Sequence, residues 1–277
     1  MLKQRIITAL VLLGFLFPAL IHPHIFWTAL AGLVLITAAG WEWGRLNLLG
    51  RYPALWIAAS CAFFCCWVWQ FNLVINFGRI FWLMVGAIWV LLAAFLLAGG
   101  VQRWTRIPAL LKLVGGAAAL CCTWLALVAS KTLGIDFLLS ILLLVWMADI
   151  AAYFSGKALG RHKLAPEISP GKTWEGVAGA MVGVFLLAFI WLSVVDYFSL
   201  PSHSLFDRLY AHGLVMFVLG LVFLVVMSVV GDLVESLVKR SAGAKDSSQL
   251  LPGHGGILDR IDALLPTLPL AVMLALL

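Results

Sequence analysis

Long apolar stretches separated by short polar turns dominate the pattern of the chain. A transmembrane helix requires about 20 mostly apolar residues, within a range of about 17–25. Nine stretches meet this requirement, at approximately residues 5–22, 24–40, 53–70, 80–99, 108–130, 134–156, 173–194, 212–238 and 257–277. The pattern therefore predicts an all-α fold, a polytopic integral membrane bundle of about nine transmembrane helices.

The composition supports this prediction and excludes several other classes of protein. Apolar residues make up 64% of the 277 residues and charged residues only 11%, whereas a soluble globular protein has about 25% charged residues. The same apolar excess excludes a disordered chain, and five cysteines are too few for a disulfide scaffold of this length. No internal repeat or low-complexity linker divides the chain, so we expect a single membrane domain.

The positions of the basic residues predict the orientation in the membrane, because Lys and Arg are enriched in cytoplasmic loops. With the N-terminus inside, 15 of the 18 basic residues face the cytoplasm, and only Arg79, Lys131 and Arg208 lie outside. We therefore expect an N-in, C-out topology. The pI near 9.2 follows from this bias and from attraction to anionic inner-leaflet lipids. No nucleic-acid partner is required.

Six of the twelve acidic residues lie within or at the ends of predicted spans. They are Asp149, Glu175, Asp232, Glu235, Asp259 and Asp262. With the N-terminus inside, all six lie near the cytoplasmic ends of their helices. An ionised carboxylate at mid-bilayer costs about 2.5–3.5 kcal/mol, so acids in spans are candidates for functional residues. The other six acids, Glu42 among them, are expected in loops or at loop edges.

A structural explanation exists for single members of this set. Glu175 and Asp259 stand in first helical turns, where an acid favours the helix dipole, and nearby basic residues offer local ion pairs. The spacing favours a shared site instead. Asp232 and Glu235 are three residues apart, as are Asp259 and Asp262, so we expect each pair on one helix face. Paired carboxylates on facing helices supply the oxygen ligands that suit Mg²⁺.

Two basic, glycine-rich loops adjoin these acids, one at residues 156–176 and the other at residues 239–256. Glycines let backbone N–H groups approach an anion closely, and the helix after each loop presents further N–H donors. The positive bias of cytoplasmic loops explains the lysines, but it does not explain the glycines, His254 or the adjoining acids. Cations, amide donors and metal-binding acids in one place predict a polyphosphate-binding site.

The second loop and the helix start after it form an extended motif. Residues 236–262 read SLVKRSAGAKDSSQLLPGHGGILDRID. This segment resembles the signature of the phosphatidate cytidylyltransferases, or CDP-diacylglycerol synthases, at Ser236, Lys239, Arg240, Lys245, Asp246, Pro252, His254, Gly255, Gly256, Asp259, Arg260 and Asp262. Residues 149–176 are similar to a second block of that family, with departures at Ile150, where the family often has Thr, and Gly171, where it often has Lys. The N-terminal half shares only its membrane helices.

The resemblance implies the reaction CTP + phosphatidate → CDP-diacylglycerol + pyrophosphate in phospholipid biosynthesis. It implies Mg²⁺-assisted in-line attack by the lipid phosphate at the inner-leaflet interface, with a second cation that is either K⁺ or another Mg²⁺. A homodimer in the bacterial cytoplasmic (inner) membrane is implied, with its active site facing the cytoplasm. Within the single domain 1–277, residues 134–277 are then the catalytic half, and residues 1–133 are helices of unassigned role.

The residue types at the matched positions imply individual roles. The expected metal ligands are Asp149, Asp232, Asp259 and Asp262. The expected catalytic residues are Asp232, Asp259, Asp262, Lys172 and His254. Substrate contacts are expected at Ser169, Thr173, Lys239, Arg240, Lys245, Gly255, Gly256 and Arg260. Ser169 and Thr173 have a plainer explanation as helix caps, and His254 has one as a residue that holds its turn.

Three alternatives remain to be compared with this interpretation. An ion-coupled transporter would place its acids near the bilayer midplane and would show paired half-repeats, whereas these acids gather at one face and no repeat is found. A phosphotransferase of the CDP-alcohol type would carry a D-G-x-x-A-R segment, which is absent. A purely structural membrane protein would not need these acids at all.

Overall fold

The computed structural model describes the backbone of residues 2–277, and the side chains of residue 8 and of residues 10–74 and 77–277. Most of these residues are helical, as the hydropathy pattern predicts. The helices are α1 (Leu2–Ile21), α2 (Ile25–Leu46), α3 (Arg51–Gln70), α4 (Arg79–Arg106), α5 (Ala109–Leu133), α6 (Ile135–Leu159), α7 (Trp174–Tyr197), α8 (Leu205–Ala211), α9 (Leu214–Ser241), α10 (Leu258–Ile261) and α11 (Leu264–Ala275). A 3₁₀ turn (Leu73–Asn76) precedes α4.

Seven of these helices, α2–α7 and α9, are long and apolar enough to cross a membrane. They match seven of the nine predicted spans. The first predicted span corresponds to α1, and within the part of α1 whose side chains the structure describes, Leu10–Ile21 is an apolar segment. The ninth is divided into α10 and α11, and α11 alone has 12 residues, or about 18 Å, against a hydrocarbon core of about 30 Å. The first and ninth crossings, and the orientation, therefore stay predictions.

α4 is broken at Gly100, whose φ of 58° and ψ of −160° are not helical. Such a positive φ is available to glycine because it has no Cβ. The break coincides with the end of the predicted span at residue 99. It turns residues 101–106 so that the Arg103 guanidinium lies over the Phe95 ring, 4.4 Å from its centroid, and donates to the Phe95 carbonyl at 2.5 Å.

The loop after α6 contains two antiparallel strands, β1 (Lys163–Ala165) and β2 (Ser169–Thr173), which the all-α prediction did not include. Pro166 and Pro170 interrupt helix formation here, because proline has no N–H and fixes φ. β2 leads directly into α7, and Thr173 Oγ1 accepts a hydrogen bond from the Gly176 N–H at 3.1 Å. The capping explanation of Thr173 is therefore confirmed.

Small residues bring the helices around this hairpin close together. A Cβ on Gly179 of α7 would lie 2.0 Å from Ser155 Oγ of α6, and small residues of this kind let membrane helices pack closely. A Cβ on Gly231 of α9 would lie 2.5 Å from the Asp262 carbonyl oxygen. These close approaches bring the charged ends of α6, α9 and the α10–α11 segment to one region.

Candidate active site

A cavity of about 480 Å³ lies among α6, the hairpin, α7 and α9, and we call it the polar cavity. Four charged residues from three elements line it: Asp149 and Lys157 of α6, Lys172 of β2 and Asp232 of α9. The other polar or small residues of its wall include Gly156, Ser169, Gly171, Thr173 and Gly176. The fold therefore brings five predicted site residues, Asp149, Ser169, Lys172, Thr173 and Asp232, around one space.

Lys172 and Asp232 form an ion pair in the wall of the polar cavity, with Lys172 Nζ 2.8 Å from Asp232 Oδ2. The ammonium group also donates to the Val229 carbonyl at 3.2 Å, and Ser236 Oγ donates to Asp232 Oδ1 at 3.1 Å. The two side chains are 22% and 34% exposed. Protein contacts thus fix both charges while leaving them accessible to a ligand.

Two further carboxylates belong to the same electrostatic environment. Asp149 and Asp262 both repel Asp232, while Lys172 and Arg260 attract Asp149. Acids held this close together require cations or hydrogen bonds that offset their repulsion. Asp149 and Asp232 line the polar cavity, and Asp262 lies near enough to influence both electrostatically.

The hairpin is tied to α7 and α9 by side-chain contacts. His162 Nδ1 lies 2.6 Å from Glu175 Oε1, and the His162 N–H donates to the same carboxylate at 3.2 Å. Arg240 Nε of α9 donates to the Ile168 carbonyl at 3.3 Å. In this structure Arg240, an expected substrate contact, holds the hairpin against α9 and does not line the polar cavity.

A second charged group lies one turn further along α9, and we call it the Lys239 cluster: Glu42, Glu235, Lys239, Ser247 and Asp259. The Lys239 ammonium is paired with Glu235 and also with Asp259 Oδ1, the latter at 2.6 Å. Asp232, three residues before Glu235, instead contacts Lys172 in the polar cavity. We expected the two acids to act as one pair, but Asp232 contacts Lys172 and Glu235 contacts Lys239.

Asp259 is held in the Lys239 cluster by three donors besides Lys239. Its Oδ2 accepts hydrogen bonds from the Ser247 N–H at 2.9 Å, from Ser247 Oγ at 2.9 Å and from the Gly256 N–H at 2.7 Å. Burial alone would raise the pKa of Asp259, but the hydrogen bonds from Lys239, Gly256 and Ser247 outweigh it and lower the pKa to about 2. Because both oxygens are engaged, Asp259 holds the second loop in place.

The glycines of this loop have a structural role beside the predicted one. Gly255 has a φ of +81°, which lets the chain turn back on itself, and its carbonyl accepts from the Leu251 N–H at 2.8 Å. A Cβ on Gly256 would lie 2.0 Å from Ser247 Oγ and 2.5 Å from Glu42 Oε1. Both positions require glycine for the loop to close over Asp259.

Glu42 is the functional candidate that the sequence analysis missed. It lies inside α2, not at a loop edge as expected, and its side chain is fully buried. Its carboxylate accepts from Ser248 Oγ (2.5 Å), the Ile257 N–H (2.9 Å) and the Leu258 N–H (2.6 Å). Ser247 Oγ lies 3.2 Å from Glu42 Oε2 and shares its single hydroxyl hydrogen between Glu42 and Asp259. The sequence does contain a signal for this residue, because Glu42 follows directly after the predicted span 24–40. The helix α2 continues six residues beyond that predicted end, to Leu46, and so includes Glu42.

Three other predicted site residues, His254, Lys245 and Arg260, differ in burial and in their contacts. Arg260 donates through Nε (3.1 Å) and Nη2 (2.5 Å) to the His254 carbonyl. Within the described part of the chain, His254 Nδ1 is buried and has no hydrogen-bond partner, so this ring nitrogen is free for a ligand. Lys245 is exposed.

Carboxylate oxygens are the donors that this site offers to a metal ion. Among the described residues, no three His, Cys, Asp or Glu side chains already stand in a metal-binding arrangement. Asp149 and Asp232 nevertheless line the same cavity, and Asp262 interacts with both electrostatically. An all-oxygen donor set of this kind fits Mg²⁺. Each oxygen of Asp232 has one protein partner. Asp259 is the expected ligand with the most protein contacts, because its Oδ2 accepts three hydrogen bonds and its Oδ1 contacts Lys239.

These features define a polytopic membrane protein with a cavity lined by charged residues of both signs. The sequence profile of the cytidylyltransferase family matches residues 3–277, and the chain belongs to this family. It is 38% identical to the phosphatidate cytidylyltransferase of Haemophilus influenzae over 97% of this chain and 96% of that protein. It is 37% identical to that of Pseudomonas aeruginosa, over 97% and 95% of the two chains.

The resemblance seen in residues 236–262 is thereby confirmed, and the protein is an enzyme of the cytidylyltransferase type. The similarity also extends through the N-terminal half, where the sequence analysis found only membrane helices in common. That half contains α2, which supplies Glu42 to the Lys239 cluster.

Proposed function

We propose that this protein transfers the cytidylyl group of CTP to phosphatidate, giving CDP-diacylglycerol and pyrophosphate. The observation that carries the proposal is the Lys172–Asp232 pair in the polar cavity, where an accessible cation meets acids from α6 and α9. The names of two relatives that match nearly the whole chain support the same reaction and substrates.

The chemical difficulty of this reaction is to bring two anions together. An oxygen of the lipid phosphate forms a bond to the α-phosphorus of CTP, in line with the bond that breaks. That bond joins the α-phosphorus to the oxygen bridging to the β-phosphate, and its electron pair leaves with pyrophosphate. The attacking oxygen is already ionised at neutral pH, so the chain needs no strong general base. Positioning and charge neutralisation then supply most of the catalysis.

The residues of the polar cavity supply that neutralisation in our proposal. Lys172 exchanges part of its contact with Asp232 for a substrate phosphate, and Ser169 donates a hydrogen bond from the same strand. His254 uses its free Nδ1 for a phosphate contact. The same proposal includes contacts from Lys239, Arg240, Lys245, Gly255, Gly256, Arg260 and Thr173, although most of these have protein partners in the structure.

We further propose that Asp149, Asp232 and Asp262 hold Mg²⁺, with Asp259 as a fourth candidate. When bound, the ion would neutralise charge on the attacking and leaving oxygens. The support is that two of these carboxylates line the polar cavity and that the third interacts with both. A second cation, K⁺ or another Mg²⁺, belongs to the same proposal.

The cellular setting is also part of the proposal. The distribution of basic residues supports an N-in, C-out topology, which places the polar cavity at the cytoplasmic side of a bacterial inner membrane. Phosphatidate would then arrive laterally within the inner leaflet, and CTP would arrive from the cytoplasm. A homodimer is proposed on family resemblance, as is the division into a catalytic half, residues 134–277, and N-terminal helices, residues 1–133.

The test is to incubate the purified enzyme with labelled CTP, phosphatidate and Mg²⁺ and to measure a lipid-soluble cytidine product. We expect Lys172→Ala to lower kcat/KM by about 10–100-fold, because a hydrogen bond to a charged group contributes about 1.5–3 kcal/mol. Lys163→Ala, which removes an exposed lysine of the same hairpin, is the matched control and should leave kcat/KM unchanged. A wild-type enzyme that forms no such product would refute the proposed function.

A further inference from the structure

A second cavity, of about 660 Å³, lies among α2, α4, α5 and α9, and we call it the cationic cavity. Three basic residues line it: Arg103 and Arg106 of α4, and Lys112 of α5. No acidic residue lines it, and in the described part of the chain none of the three cations forms an ion pair with a carboxylate. The rest of its wall is mostly apolar and aromatic.

The walls of the cationic cavity are formed by specific packing contacts. A Cβ on Gly116 would lie 1.9 Å from the Trp43 ring, so glycine is needed for Trp43 to pack against α5. Trp43 Nε1 donates to the Lys112 carbonyl at 3.0 Å, and the Trp43 and Trp104 rings meet edge to face with centroids 5.7 Å apart. The break at Gly100 sets the direction of the segment that carries Arg103 and Arg106.

The cationic cavity is separate from the polar cavity. Asp232 of α9 lines the polar cavity and Val234 lines the cationic one. Two residues apart on an α-helix, they point about 200° apart around its axis. The body of α9 therefore stands between the polar cavity and the cationic cavity.

We propose that the cationic cavity binds one anionic glycerophospholipid. Its phosphate contacts Arg103, Arg106 and Lys112, and part of an acyl chain lies against the apolar wall. Arg103 lies over the Phe95 ring and Lys112 over the Trp104 ring, but no carboxylate neutralises the three positive charges, so an anion with an apolar tail would gain charge-assisted hydrogen bonds and apolar contact in the same cavity. An inorganic phosphate would neutralise positive charge but would make no contact with the apolar wall. A zwitterionic lipid would contact the apolar wall but would not neutralise the net positive charge of the cavity. This inference does not depend on the proposed function.

The inference can be tested by binding of short-chain lipids to the full-length protein in neutral detergent. The probes are dioctanoyl phosphatidylglycerol, dioctanoyl phosphatidylcholine and inorganic phosphate, each measured by native mass spectrometry and by titration calorimetry. We expect one molecule of the anionic lipid to bind at least tenfold more tightly than either of the other probes. Equal binding of the zwitterionic lipid, or binding of phosphate as tight as that of the lipid, would overturn the inference.

Two independent variants assign the binding to this cavity. The triple variant Arg103→Gln, Arg106→Gln, Lys112→Gln should weaken binding of the anionic lipid at least tenfold, whereas Arg51→Gln, an exposed cation outside the cavity, should not. Anionic-lipid binding that the triple variant retains in full would overturn the inference.

The second variant addresses the apolar wall and is expected to fold. Gly115 lines the cavity, and a Cβ there would meet no atom within 4 Å, so Gly115→Leu fills open space and also favours the helix. We expect it to displace the acyl chain and weaken lipid binding at least fivefold. Gly14→Leu, in equally open space on α1, is its control. Unchanged lipid affinity in Gly115→Leu would contradict the proposed position of the chain.

Discussion

The carboxylate of Glu42 connects α2 to the loop that carries the sequence motif, and replacing it should release that loop. Glu42→Gln keeps the size of the side chain but exchanges one acceptor oxygen for an NH₂ donor. Oε1 accepts from the Ser248 hydroxyl and the Ile257 N–H, and Oε2 accepts from the Leu258 N–H and lies beside the Ser247 hydroxyl, which Asp259 shares. In either amide orientation, the NH₂ group faces one backbone N–H.

The magnitude follows from this count. A serine hydroxyl can rotate and accept from the new NH₂, but a backbone N–H cannot, so one buried donor loses its partner at a cost of about 1–3 kcal/mol. The other hydrogen bonds lose their ionic acceptor, which adds about 1 kcal/mol. We therefore expect local opening of the loop to become about 3 kcal/mol easier. Since about 1.4 kcal/mol corresponds to a factor of ten, amide exchange should accelerate about 100-fold.

Hydrogen exchange measured by mass spectrometry on the purified protein tests this directly. The informative peptide covers residues 251–264, and a peptide from α6 in the same protein serves as the internal reference. Glu167→Gln, an exposed acid in the hairpin turn, is the matched control and should exchange like the wild type. If Glu42→Gln changes exchange in residues 251–264 by less than about threefold, the carboxylate does not hold the loop and our reasoning is incorrect.

Three further predictions concern the same region. Gly256→Ala should destabilise the loop by about 1–3 kcal/mol, seen as faster exchange in residues 251–264, because its Cβ would meet Ser247 and Glu42; Gly78→Ala, in open space, should have no effect. The lowered pKa of Asp259, about 2, means that its stabilisation is complete above its unfolded pKa of about 4 and is lost as the pH falls towards 2. Loop protection, corrected for intrinsic exchange, should thus weaken as the pH falls from about 4 towards 2, and protection that is unchanged over this range would exclude the Asp259 carboxylate as the group that holds the loop. Asp232→Asn should abolish most turnover and raise the Mg²⁺ concentration needed for half-maximal rate, whereas a normal Mg²⁺ dependence would exclude Asp232 as a ligand.

The sequence alone determined where the helices lie and which family the chain belongs to. Hydropathy depends on local composition, so it located seven membrane-length helices and a helix in each of the other two predicted spans. The motif of residues 236–262 identified the family because it is a dense series of specific residues. Lys172 and Asp232 were also found, because charge in or beside an apolar span is visible without any knowledge of packing.

Only the tertiary structure decided which charges meet. Glu42 and Ile257 are 215 residues apart, and no local pattern relates them; their contact depends on how α2 packs against the second loop. Asp232 and Glu235 are neighbours in sequence, yet Asp232 pairs with Lys172 of β2, which packing brings to α9, whereas Glu235 pairs with Lys239 one turn further along the same helix. Composition and periodicity predict features within one helix. Contacts between charged residues of different elements depend on how those elements pack, so these contacts follow only from the tertiary structure.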